Sequence, residues 1–147
     1  MLVRIKRIND KFNDIPLPKY TTPDSAGMDI FAAVEKPITI EPFSTELIPT
    51  NLAIELENGY ECQVRSRSGL AIKNGIFALN SPGTIDSDYR GEIKIILSNF
   101  SKEPYTINRG DRIAQIVFAR YEKVNLIEVE ELSSTIRDSG GFGSTGK

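Results

Sequence analysis

Glycine, proline and asparagine break this chain at intervals of about ten residues, leaving short β-branched or alternating apolar runs between them. A chain interrupted that often has no room for long helices, so the runs read as strands of an all-β sandwich or jelly roll. Val3 and Ile5 alternate with Arg4 and Lys6 as a half-buried first strand, and Pro16, Pro18 and Pro23 keep the next stretch irregular. Residues 28–34 and 37–41 read as short strands before a turn at Pro42, and residues 47–56 as another strand. Asn58-Gly59 is a two-residue hairpin signal leading into a strand at 60–65. The one helix expected covers residues 68–73 and ends at Asn74-Gly75. Further strands are expected at 75–79, 92–99, 105–107 and 112–121, with Ile113, Gln115 and Val117 on one face of the last. A final strand is expected around Leu126, Ile127 and Val129, before a polar stretch and a glycine-rich tail.

With 147 residues the chain makes one domain, able to remove roughly 70% of its unfolded surface from water. No apolar run approaches the roughly 18 residues of a membrane span, and no charged-then-apolar leader opens the chain. A cytoplasmic location, or a nuclear one in a eukaryote, is therefore expected, without membrane or secretion. The single cysteine, Cys62, leaves no intrachain disulfide and reads as a packed small side chain. There is no histidine, which removes Ser-His and Cys-His machinery and leaves little for a protein-held zinc. A metal here would be a hard cation such as Mg²⁺ with oxygen ligands. Net charge −2 gives no broad field for nucleic acid, so a polyanion must be met by a local cluster of arginines and backbone N–H groups.

Residues 80–91 read Asn-Ser-Pro-Gly-Thr-Ile-Asp-Ser-Asp-Tyr-Arg-Gly. Pro82-Gly83 is a turn pair, and a hairpin here places Asp86, Tyr89 and Arg90 within five residues. Taken alone, such a string is more often a polar turn between strands. Arg67-Ser68-Gly69, at the start of the short helix, supplies a guanidinium, a hydroxyl and free N–H groups suited to phosphate. Arg137 with Gly143, Ser144 and Thr145 supplies a second such set, and Phe142 offers a ring to stack on a base. Two phosphate cradles, a stacking ring and a turn carboxylate suggest hydrolysis of a nucleoside polyphosphate.

Five ordered strings then extend the pattern: Ala26-Gly27-Met28-Asp29-Ile30, Arg-Ser-Gly-Leu-Ala at 67–71, the 80–91 stretch, Gly-Asp-Arg-Ile-Ala-Gln at 110–115, and the glycine-rich 137–146. In this order and over nearly the whole chain, they resemble the motifs of the trimeric dUTPases. The resemblance implies a distorted jelly-roll β-barrel or sandwich with one short helix, assembled as a homotrimer. It implies hydrolysis of dUTP to dUMP and pyrophosphate, which keeps uracil out of DNA and supplies dUMP for dTMP synthesis. Asp86 would then be the general base for water attacking the α-phosphorus. Tyr89 would lie against the deoxyribose, leaving no room for a 2′-hydroxyl. Asn80, with Gly83, Thr84 and Ile85, would read the uracil edge in a pocket bordered by Lys94. Arg67, Ser68, Gly69 and Gln115 would hold the phosphates, and Mg²⁺ would be chelated mainly by the triphosphate. Asp29 would act on the metal at one remove, through water or through Arg67. Arg137 would reach the γ-phosphate and Phe142 would stack on uracil, with Gly143, Ser144 and Thr145 also touching substrate. Sites would form at subunit boundaries. Residues 1–131 would be the core, and 132–147 an arm from a neighbour that is mobile until ligand binds.

Two positions depart from the family pattern: Asp138 stands where glycine usually follows the motif arginine, and Ser66 where proline often precedes the second motif. Gly141 to Lys147 matches the front of a P-loop but lacks the following Ser or Thr and helix, and Arg109-Gly110-Asp111 reads as a hairpin turn rather than an adhesion signal. The rival functions are a dCTP deaminase-type relative, which needs an extra glutamate beside the base, and a non-catalytic jelly-roll nucleotide-binding protein.

Overall fold

The computed structural model describes residues 1–141. In chain order come β1 (Arg4–Arg7), a 3-10 turn (Asp10–Phe12), β2 (Gly27–Phe31), β3 (Ile38–Ile40), β4 (Thr45–Pro49), β5 (Leu52–Glu55) and β6 (Tyr60–Arg65). Then follow α1 (Ser68–Asn74), β7 (Ile76–Ala78), β8 (Gly83–Ile85), β9 (Lys94–Asn99), β10 (Tyr105–Ile107) and β11 (Arg112–Arg120). All pairings are antiparallel. They build a four-stranded sheet in the order β2-β11-β6-β8, a three-stranded sheet β4-β9-β7, and the pairs β1-β5 and β3-β10. Neighbours in a sheet are mostly remote in sequence, the crossing connectivity of a jelly roll.

The four units share one core, where Ile30, Ile40, Ile48, Ile54, Ile76, Ile95, Leu97, Ile107 and Ile116 meet. A fully buried isoleucine contributes about 1.5–3 kcal/mol. An exposed pair such as Arg4–Glu55, at 3.1 Å, contributes about 0–1 kcal/mol. Burial therefore holds the layers together. Cys62 belongs to this core, and burial pushes its thiol up to about 12, with Glu61 adding repulsion. At mildly alkaline pH an aromatic disulfide reagent should label Cys62 no faster than the chain unfolds; rapid labelling of the native protein would contradict its burial.

α1 ends where Gly75 takes a left-handed φ of 67° and donates its N–H to Ala71 O at 3.0 Å, as Asn74-Gly75 announces. Several expectations need correction. The run 47–56 is two strands in different sheets, because Thr50 and Asn51 are buried between them and Asn51 has a φ of 61°. Asn51 is held there by Asn9: its Oδ1 accepts from Asn9 N at 2.7 Å and its Nδ2 donates to Asn9 O at 2.8 Å. Asn58-Gly59 turns the chain, with Gly59 at φ 86°, but β5 pairs with β1 and β6 with β11 and β8, so no hairpin closes there.

Likewise, the turn at Arg109-Gly110-Asp111 links strands of different sheets. Arg109 is pinned beneath it, paired with Asp14 and 4.5 Å from the centroid of the Phe12 ring. A β-bulge between Arg112 and Ala114 turns Ile113 into the core, so it does not share the half-exposed face of Gln115 and Val117. The 3-10 turn lies in a stretch expected to be irregular, capped by Asn9 Oδ1 accepting from Lys11 N. Leu126, Ile127 and Val129 form no strand; they are exposed, and within the described protomer no strand pairs with them.

Candidate active site

β7 and β9 pair with each other, and the long excursion between them is captured midway by β8, which pairs with β6 in the other sheet: Gly83 lies opposite Val64 and Ile85 opposite Cys62. The excursion is thus not a hairpin with its own ladder. It bridges two sheets, and a cleft of about 430 Å³ opens beneath it. Asn80, Gly83, Thr84, Ile85, Asp86, Tyr89 and Lys94 line that cleft, with Leu47, Val64, Glu92 and Ile93 completing the wall. Six residues expected from sequence at the uracil and sugar end therefore share one cavity with Asp86, the expected general base. Asn80 folds back onto Gly83: a β-carbon at Gly83 would stand 2.8 Å from Asn80 Nδ2 and push the amide aside. Asp86 is exposed, and its side chain makes no hydrogen bond to the other described residues, while its carbonyl accepts from Tyr89 N at 3.2 Å. A carboxylate with free lone pairs at a cleft rim can take a proton from water.

A second group forms around Asp29 on β2. Arg67 Nε donates to Asp29 Oδ1 at 3.0 Å, Arg112 Nη1 to Oδ2 at 3.2 Å, and Gln115 Nε2 to Oδ1 at 3.4 Å. Arg67 is further fixed through Nη1 to Arg112 O at 3.0 Å. Two guanidiniums share one carboxylate, so the cluster keeps a net positive charge suited to an anion. Ser68 and Gly69 follow directly, exposed, in the first turn of α1, where backbone N–H groups have no helical acceptor. Asp29 on β2 and Gly83 on β8 lie on opposite edges of the four-stranded sheet, three strand spacings or about 14 Å apart, whereas Arg67 and Ser68 follow β6, the strand beside β8.

The sequence profile of the dUTPase family matches residues 13–146. The chain belongs to the dUTPase family. The deoxyuridine 5'-triphosphate nucleotidohydrolase of Caldanaerobacter subterraneus subsp. tengcongensis is 53% identical over 146 residues, covering 99% of this chain and 98% of its own. That of Anaplasma marginale is also 53% identical, covering 98% and 97%. Among solved structures, the dUTPase of Staphylococcus bacteriophage 80alpha with dUPNHPP superposes with a TM-score of 0.81 at 25% identity, covering 99% of both chains.

Both departures from the dUTPase pattern have local explanations. Asp138 has a left-handed φ of 43°, a conformation that glycine adopts without a Cβ penalty. Ser66 uses an N–H that proline lacks, donating to Ser81 Oγ at 3.1 Å, and its own Oγ accepts from Ala78 N at 3.0 Å. Arg137 hydrogen-bonds within its own turn, Nε donating to Gly140 O at 2.9 Å. Phe142, Gly143, Ser144 and Thr145 lie outside the described residues, as does nearly all of the P-loop-like string. Two residues were missed from sequence. Arg112 stands inside the fourth motif string, so its charge was the available signal. Glu92 enters the cleft wall, and only the fold reveals that. Its Oε1 accepts from Asn51 N at 2.9 Å and its Oε2 lies 3.7 Å from Lys94 Nζ.

Proposed function

We propose that this chain hydrolyses dUTP to dUMP and pyrophosphate in sites shared between protomers of a homotrimer. The observation that carries the reading is the cleft itself, where a free Asp86 carboxylate, the Tyr89 ring and the Asn80 amide face one cavity. Uracil would enter against Asn80 and the backbone of Gly83, Thr84 and Ile85, with Tyr89 flat against the deoxyribose. Asp86 would take a proton from water as the water oxygen bonds to the α-phosphorus. The bond from that phosphorus to the bridging oxygen then breaks, and pyrophosphate leaves with the electron pair. Lys94, steered by Glu92, borders the same pocket.

The phosphate chain would lie against Arg67, Ser68, Gly69 and Gln115 of a neighbouring protomer, since within one protomer Gln115 and the Asp29 that holds Arg67 stand two and three strands from β8. Gly69 fits such a role: a β-carbon there would meet nothing within 4 Å, so internal packing does not require the glycine. Arg137, Phe142, Gly143, Ser144 and Thr145 of residues 132–147 would close over the nucleotide.

Mg²⁺ fits if it arrives on the triphosphate. Both Asp29 oxygens are engaged by Arg67 and Arg112, and among the described residues no three His, Cys, Asp or Glu side chains cluster to hold a metal. Bound there, Mg²⁺ would neutralise charge along the phosphate chain, while Asp29 orients Arg67. No helix among the described residues is long and apolar enough to cross a membrane, and a cytoplasmic or nuclear nucleotide pool suits the reading. Incubation with dUTP and with dCTP, following pyrophosphate and ammonia, tests it. Pyrophosphate from dUTP without ammonia from dCTP is expected. Ammonia release would point to a deaminase, and neither product to a binding protein.

A further inference from the structure

Tyr89 is half-exposed, yet its ring is held at two points, both on backbone. Its phenol donates to Glu92 O at 3.0 Å and its ring lies on Gly91, while its backbone N–H fixes the turn by donating to Asp86 O at 3.2 Å. A β-carbon on Gly91 would press on the phenol oxygen and stand 2.5 Å from Cζ and 2.9 Å from Cε2. Ordinary carbon contacts are about 3.5–4.0 Å, so the ring would have to move by about 1 Å or more. Gly91 is not among the left-handed glycines of the described residues, which are Gly59, Gly75 and Gly110. The need for glycine therefore comes from the ring above it and not from backbone strain. Glu92 is itself tied down, since its carboxylate accepts the N–H of buried Asn51.

We propose that Gly91 is a specificity-determining positioning residue: as the floor beneath Tyr89, it sets the depth of the sugar end of the cleft and so the rejection of a 2′-hydroxyl. This rests on the dUTP reading above. Any side chain at position 91 displaces the ring from its seat, and the close contact with deoxyribose that excludes a 2′-hydroxyl is lost.

The test compares the parent chain, Gly91→Ala, Tyr89→Ala and the double variant. Turnover of dUTP and UTP is measured, together with calorimetric binding of their α,β-imido analogues. Gly91→Ala should lower the dUTP/UTP preference on the order of 10-fold or more. The double variant should lose no more preference than Tyr89→Ala alone, because the floor acts only through the ring. Parent-like preference in Gly91→Ala, or losses that multiply in the double variant, would overturn the proposal. Should Gly91→Ala fail to fold, Tyr89→Phe decides: loss of the tether to Glu92 should cost preference a few-fold, and an unchanged ratio would count against the seat. A parent chain without turnover would defeat the dUTP reading instead, while the binding ratios would still judge Gly91.

Discussion

Asp86→Asn should lower pyrophosphate release from dUTP by about 10²–10⁴-fold, the usual contribution of a positioned general base, while an α,β-imido dUTP analogue binds within a few-fold of the parent. Asparagine matches the shape of aspartate but cannot accept the proton. The fold should be indifferent to the change, because the Asp86 side chain makes no hydrogen bond to the other described residues and only its carbonyl serves the turn, accepting from Tyr89 N. An unchanged melting temperature with lost turnover is thus the expected pair of results. Asp88 is the internal control. It sits two residues away but outside the cleft that Asp86 and Tyr89 line, so Asp88→Asn should stay near the parent rate. Near-normal turnover in Asp86→Asn, or an equal loss in Asp88→Asn, would take the base away from Asp86.

The local layer of the fold was legible in the sequence, and the partner of each strand was not. Residues 60–65 and 105–107 were located to the residue, and Gly75 was identified as the helix stop, because alternation and capping are properties of a few neighbouring residues. Residues 47–56 misled because strand propensity is indifferent to which sheet a strand joins, and the switch at Asn51 depends on Asn9, far away in the chain. The same holds for residues 83–85, read as turn yet paired with β6. Leu126, Ile127 and Val129 have strand-forming side chains, but a strand also needs a ladder, and none is offered among the described residues of one protomer. At the site, Asp86 and Tyr89 were legible as a carboxylate and a ring in one short turn, and the resemblance to the dUTPase motifs is what gave them and Asn80 their expected roles. Glu92 was not, because its place in the wall follows from how β9 enters the opposite sheet. Arg112 joined Asp29 only through the pairing of β11 with β2.

The separation of the two groups leads to the second large effect. On the proposed reading Asp86 and Arg67 serve one nucleotide from different protomers: Ile85 lies level with Cys62 on β6, five residues before Arg67, whose guanidinium turns to Asp29 and Arg112. Arg67→Ala should therefore disable the phosphate end, by about 10²-fold, without touching the cleft. The chain should still fold, since Asp29 keeps Arg112 as a partner. Coexpressing Asp86→Asn with Arg67→Ala then gives trimers in which some sites join an intact Asp86 from one protomer to an intact Arg67 from its neighbour. With random assembly about a quarter of the sites are whole, so activity should rise from near zero to about a quarter of the parent value. Separately purified variants, mixed without subunit exchange, should stay inactive. If the coassembled protein is no more active than its components, both groups belong to one protomer's site, and the division of the nucleotide between neighbours is wrong even if dUTP is the substrate.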